Sequence, residues 1–120
     1  MADSFPGEGY DLVCFFDCLH DMGVPLAAAS RAREALAEGG TVLLVEPMAG
    51  DDVAENLNPV SRLFYAGSVA LCTPNSLSQD GAMGLGAQAG AAHRGAHRGG
   101  LHPRGARGGH PFNLILEVRP

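Results

Sequence analysis

The chain has 120 residues, 46% of them apolar, and a formal net charge of −5, enough for one modest domain. The acidic balance works against a nucleic-acid backbone as partner, and the apolar runs are too short to span a bilayer. With 2 Tyr, 5 Phe and no Trp, the core falls to Leu, Val and Ala. Three cysteines (Cys14, Cys18, Cys72) and an amino-terminal "MADSFPGEG" with neither basic nor apolar character predict no signal peptide, a reducing compartment and a cytoplasmic location.

Leu12 to Phe16, "LVCFF", is a short continuous apolar run that predicts a strand buried on both faces. Pro25 fits the first position of a helix of roughly 14 residues, the usual crossover length. Leu26, Ala29, Arg33 and Leu36 fall near one face of it, and Gly39 and Gly40 end it. Thr41 to Glu46, "TVLLVE", is a second buried strand, stopped by Pro47. Strand, helix, strand with both strands apolar predicts a parallel βαβ unit. A helical bundle is disfavoured, because five apolar residues before polar "DCLHD" are short for a helix.

Asp51 and Asp52 are candidate helix caps, and Asn58-Pro59 marks a break. Val60 to Leu71 predicts a helix with Val60, Leu63, Phe64, Gly67 and Leu71 near one face, stopped at Thr73-Pro74. Residues 76–90 suit a short, glycine-weakened helix. The tract 93–110 differs in kind: it holds four of the five His, four of the eight Arg and six Gly, with Leu101 its one large apolar residue. It shows no helical or strand period, so an irregular segment is expected. Three readings stay open for it: a disordered linker, a GC-rich message read out of frame, or a ligand tract carried by residues such as His93 and His97. The absence of interleaved aromatics weakens an RNA reading. "PFNLILEVRP" then returns to strand alternation.

"FFDCLHDMG", Phe15 to Gly23, leaves the first strand at the edge where open α/β sheets bind ligands. It reads either as a pocket rim or as local capping by Asp17 and Asp21. Cys18, His20 and Asp21 are metal-ligand types, but the sequence shows no distant partner cluster once the His-rich tract is set aside, so no metal site is expected. Cys18 and His20, two residues apart on a turn, face each other poorly for a nucleophile–base pair. Glu46 ends the second strand in the same crevice or caps a turn, with Asn56, Asn58, Arg62 and Tyr65 as candidates for a lid. Gly84, Gly86 and Gly90 have the wrong spacing for a dinucleotide loop. Without lysine there is no Walker motif, and no GxSxG elbow is present.

The combination "DCLHDMG…GG…LLVEP" resembles the middle of a class I S-adenosylmethionine-dependent methyltransferase of a bacterial subgroup, here its C-terminal portion. The likeness runs from Tyr10 to about Gly90 and resumes at His110 or Pro111. It implies an α/β fold: a partial Rossmann-like sheet of family strands four, five and last, mostly parallel with an antiparallel C-terminal strand. It implies an incomplete domain over 1–120, a helical insertion over 51–90, and a penultimate strand where the 93–110 tract stands. Strands one to three would precede Met1, and the glycine-rich loop and the ribose-binding acid that hold the cofactor have no counterpart here. By the same likeness Phe16, Asp17, Cys18 and Asp3 are the cofactor-binding residues, S-adenosyl-L-methionine is the cofactor, and His20 is the catalytic residue, a substrate-side base or donor. The implied reaction is methyl transfer to a small-molecule acceptor, with this chain alone inactive. The alternative is a non-catalytic α/β interaction module derived from such an enzyme. With strand one missing, the bare edge of Leu12–Phe16 is a site for self-association.

Overall fold

The computed structural model describes residues 4–50, 52–81 and 101–120. Asp3, the Gly84–Gly90 stretch, His93 and His97 lie outside these residues. The elements run β1 (Tyr10–Phe16), a 3₁₀ turn (Leu19–Asp21), α1 (Pro25–Ala35), β2 (Leu36–Pro47), a second 3₁₀ turn (Val53–Asn56), α2 (Pro59–Gly67), a π turn (Ser68–Cys72), α3 (Thr73–Ser78), β3 (His102–Gly109) and β4 (Asn113–Arg119). One sheet has the order β1-β2-β4-β3.

The expected pairing of the first two strands is present: β1 and β2 run parallel, from Leu12 opposite Thr41 to Phe16 opposite Val45. β4 lies antiparallel against β2, with Val42 opposite Val118 and Leu44 opposite Leu116. The strand period of two puts Phe15, Val42, Leu44, Leu116 and Val118 on one face, where they close a core with Leu19, Leu101 and the alanines of α1. The opposite face of β1 is open: Leu12 is 54% and Phe16 62% exposed, and Cys14 is exposed too. β1 is therefore covered on one face rather than two, because α1 is the helix that packs on this sheet among the described residues.

Four further expectations are corrected. The helix after Pro25 stops at Ala35, since Leu36 pairs with Tyr10 and the chain is already in the sheet. Between the pairs Tyr10–Leu36 and Leu12–Thr41, β1 advances two residues and β2 five, and Gly39 takes up the irregularity with φ of +77°. The buried face of α1 is Ala28, Ala29, Ala32 and Ala35, whose small side chains let the helix sit close to the sheet, while Leu26 stays exposed.

Thr73-Pro74 does not stop the second helix. The chain stays helical through the π turn at Ser68–Cys72, and Pro74 lies in the first turn of α3. Asn58 caps α2 by accepting the Ser61 N–H at 2.9 Å.

The tract 93–110, expected to be irregular, contains β3, which pairs antiparallel with β4 from His102–Arg119 to Gly109–Leu114 through two irregularities. Backbone pairing against an apolar neighbour strand makes this strand where its sequence carries no period, and it falls where the family likeness puts a penultimate strand. The described sheet thus has one parallel and two antiparallel pairings.

Candidate functional site

β1 leaves the sheet at Asp17, which adopts a left-handed conformation (φ 47°) while its N–H still donates to the Val45 carbonyl at 2.8 Å. Aspartate tolerates this region better than most residues. The turn directs Cys18 to Asp21 across the end of β2. There the alternation that buries Val42 and Leu44 also buries Glu46, which is 1% exposed.

A buried carboxylate needs partners. Glu46 Oε1 accepts the Leu19 N–H at 2.9 Å, and Oε2 is hydrogen-bonded to Nδ1 of His20, itself 5% exposed. This fixes the imidazole orientation and leaves Nε2 to face Asp21, whose Oδ1 lies 3.1 Å away. That oxygen is buried and accepts no hydrogen bond.

The helical rod formed by α2, the π turn and α3 closes the other side. The Asn75 side chain donates to the Asp21 carbonyl at 3.1 Å. Gly23 and Gly81 allow the close approach: a Cβ on Gly23 would run into the Gln79 carbonyl oxygen. Asp17, His20, Asp21, Phe64, Cys72 and Phe112 line the resulting cavity of about 410 Å³.

Charges inside this space act on one another. Burial opposes the charging of His20, but the Glu46 hydrogen bond and charge, followed by Asp21 and Asp17, outweigh it and hold the imidazole above its ordinary 6.5. Burial, then the Glu46 charge, raises Asp17 above the usual carboxylate value. Burial likewise pushes up the Cys18 thiol. Cys72 is pushed up to about 11, first by burial and then by the neighbouring Asp21 carboxylate.

The structure gathers Asp17, His20 and Glu46 in one place. Phe16 and Cys18 sit beside it: Phe16 is exposed on β1, and Cys18 is half-buried against the core. Asn56 and Asn58 line a separate cavity of about 360 Å³. There Asn56 braces the loop through Gly50 and Asp52, so these residues organise the insertion rather than cover His20. From the insertion it is Phe64, Leu71 and Cys72 that face the site. The sequence signal for the first two was their shared helical face; Cys72 had none.

No protein-family model and no curated protein matches the chain. Solved structures do. It superposes on the mitomycin 7-O-methyltransferase MmcR with a TM-score of 0.71 at 15% identity, covering 99% of this chain and 32% of that one. An O-methyltransferase family protein from Burkholderia thailandensis gives a TM-score of 0.67 at 21% identity, with 99% and 33% covered. PigF with SAH gives 0.65 at 21% identity, with 97% and 32% covered. The chain spans about a third of the length of the structures it matches. Its α/β fold is that of the C-terminal portion of these proteins, as the sequence resemblance implied.

Proposed function

We propose that this chain carries the acceptor-side half of a methyl-transfer site, acting on a small-molecule hydroxyl with His20 as the general base. The observation that carries the reading is the His20–Glu46 pair at the ends of two parallel strands. With Nδ1 held by a buried carboxylate, the lone pair of neutral His20 sits on Nε2, at the cavity. The O-methyltransferase neighbours named above support oxygen as the acceptor atom.

The residues present fit the cofactor on one side. Asp17, at the rim of the cavity, offers a carboxylate for the ammonium of its methionine part. Phe16 offers an exposed aromatic face, and Cys18 narrows the turn between them. Asp3 completes this set in the family likeness. S-adenosyl-L-methionine, when bound, supplies the activated methyl group on its sulfonium. His20 takes the proton of the acceptor hydroxyl at Nε2, and Glu46 stabilises the imidazolium that results. Phe64, Leu71 and Phe112 hold the acceptor and exclude water. The glycine-rich cofactor loop of the family has no counterpart among these 120 residues, so the chain alone is proposed to be inactive.

The test is the coding DNA upstream of Met1 and the longer polypeptide it specifies. An in-frame strand and glycine-rich loop are expected, and the longer chain should methylate a hydroxyl. His20→Asn should then lower kcat by about 10²–10⁴-fold with cofactor affinity unchanged. Methylation that survives His20→Asn refutes the role of His20. An authentic upstream stop with a soluble, monomeric product supports the non-catalytic module instead.

A further inference from the structure

One nitrogen, one oxygen and one sulfur donor converge on the wall of the cavity. Nε2 or Nδ1 of His20, a carboxylate oxygen of Asp21 and Sγ of Cys72 all lie within 4.8 Å of one another. They come from two separately built elements. His20 and Asp21 share the 3₁₀ turn after β1, and Cys72 ends the π turn of the rod. The Asn75–Asp21 hydrogen bond and the Gly23–Gly81 contact lock these elements together without using any of the three donors. Oδ1 of Asp21 is buried, accepts no hydrogen bond and lies 3.1 Å from Nε2 of His20, so two of the three donors already face one another.

We propose that His20, Asp21 and Cys72 bind a zinc-type divalent cation, with the fourth coordination position open to the cavity. The mixed imidazole, thiolate and carboxylate set selects this class over magnesium or calcium, which take oxygen ligands. Bond lengths of about 2.0–2.3 Å place tetrahedral ligand atoms roughly 3.3–3.7 Å apart, so the cluster closes by about 1 Å, within reach of side-chain rotation. The cation displaces the Cys72 thiol proton to solvent, and the thiolate and the Asp21 carboxylate then bind it directly. Glu46, bonded to Nδ1, is the outer carboxylate that fixes the metal-ligating tautomer. The partner that "CLHD" lacks in sequence is thus Cys72, brought in by the docking of the rod. The site stands on its donors alone. One consequence does rest on the base role of His20: a cation on Nε2 and proton transfer at Nε2 exclude each other, so zinc would inhibit methyl transfer.

The test is cobalt(II) titration of the full chain, fused to a soluble carrier and kept reduced, followed by displacement with zinc. One equivalent of cobalt should give a sulfur-to-metal charge-transfer band together with the intense visible bands of four-coordinate cobalt. Cys72→Ser should abolish the charge-transfer band and weaken binding at least about tenfold, while Cys14→Ser and Cys18→Ser leave both unchanged. Glu46→Gln should weaken binding about 10–100-fold with the charge-transfer band retained. A titration without that band, or one whose band survives Cys72→Ser, overturns the proposal. So does unchanged affinity in His20→Gln, since the remaining histidines lie in another segment. None of these readouts depends on methyl transfer, so they separate failure of the metal site from failure of the catalytic reading.

Discussion

Replacing Glu46 by Gln removes one charge from the most buried polar group of the site, and its cost depends on whether His20 carries a proton. The amide oxygen of the introduced glutamine can still accept the Leu19 N–H, so its NH₂ takes the place of Oε2 and faces Nδ1. Against an imidazolium, two donors then meet and a buried positive charge loses its partner, a cost of about 3–5 kcal/mol. Neutral His20 can move its proton to Nε2, towards Asp21 Oδ1 at 3.1 Å, and accept the new N–H at Nδ1. The cost then falls to about 1 kcal/mol, that of weakening one hydrogen bond. His20 is held above 6.5 in the folded chain, so the stability that its charged form contributes is complete below that value. It is lost as pH rises through the raised folded value. Urea unfolding of dilute chain, followed by circular dichroism at about pH 5.5 and about pH 9, should show the Glu46→Gln deficit several-fold larger in acid. An equal deficit at both pH values would refute a charged His20–Glu46 pair in the fold.

Other consequences are open to separate measurement. The chain should self-associate through the β1 edge and its open face, and Leu12→Lys should reduce the light-scattering mass towards that of a monomer; an unaltered assembly would clear β1 of that role. Gly23→Ala should push α3 away from the His20 turn at a cost of about 1–3 kcal/mol, and hydrogen exchange should quicken at the Gln79 and Gly81 amides, which bond to Ser76. Calorimetry with S-adenosylmethionine should find binding no tighter than about millimolar for the chain alone, so micromolar binding by a monomer would contradict the division of the site proposed above.

The parts of this architecture that were legible in the sequence are those in which local pattern and tertiary pairing agree. Leu12–Phe16 and Thr41–Glu46 are apolar runs at crossover spacing, and they pair in parallel. Their carboxyl ends bring His20 and Glu46 together, a juxtaposition that follows from topology once the pairing is known. The rest was set by contacts without a local signature. Leu36 to Gly40 has a helical pattern, but the pairing of Leu36 with Tyr10 draws it into β2. His102–Gly109 has no strand period, and becomes a strand because β4 offers it an unpaired edge. The rod buries Ser61, Ser68 and Ser76 and exposes Leu63, Val69 and Leu71. Its apolar periodicity therefore brought Phe64 and Leu71 to the cavity but did not mark the serine face that is buried, and Cys72 could not be placed beside His20 from spacing.

The arrangement of β1 against β2 carries everything that follows at their ends, and amide-to-carbonyl scalar couplings measured by NMR across the sheet test it most directly. A coupling from the Asp17 amide to the Val45 carbonyl, with neighbouring contacts stepping in the same direction from Leu12–Thr41 to Phe16–Val45, is the expected pattern. A pattern in which these pairs step in opposite directions, or in which Asp17 bonds to a different strand, would separate His20 from Glu46 and contradict the account.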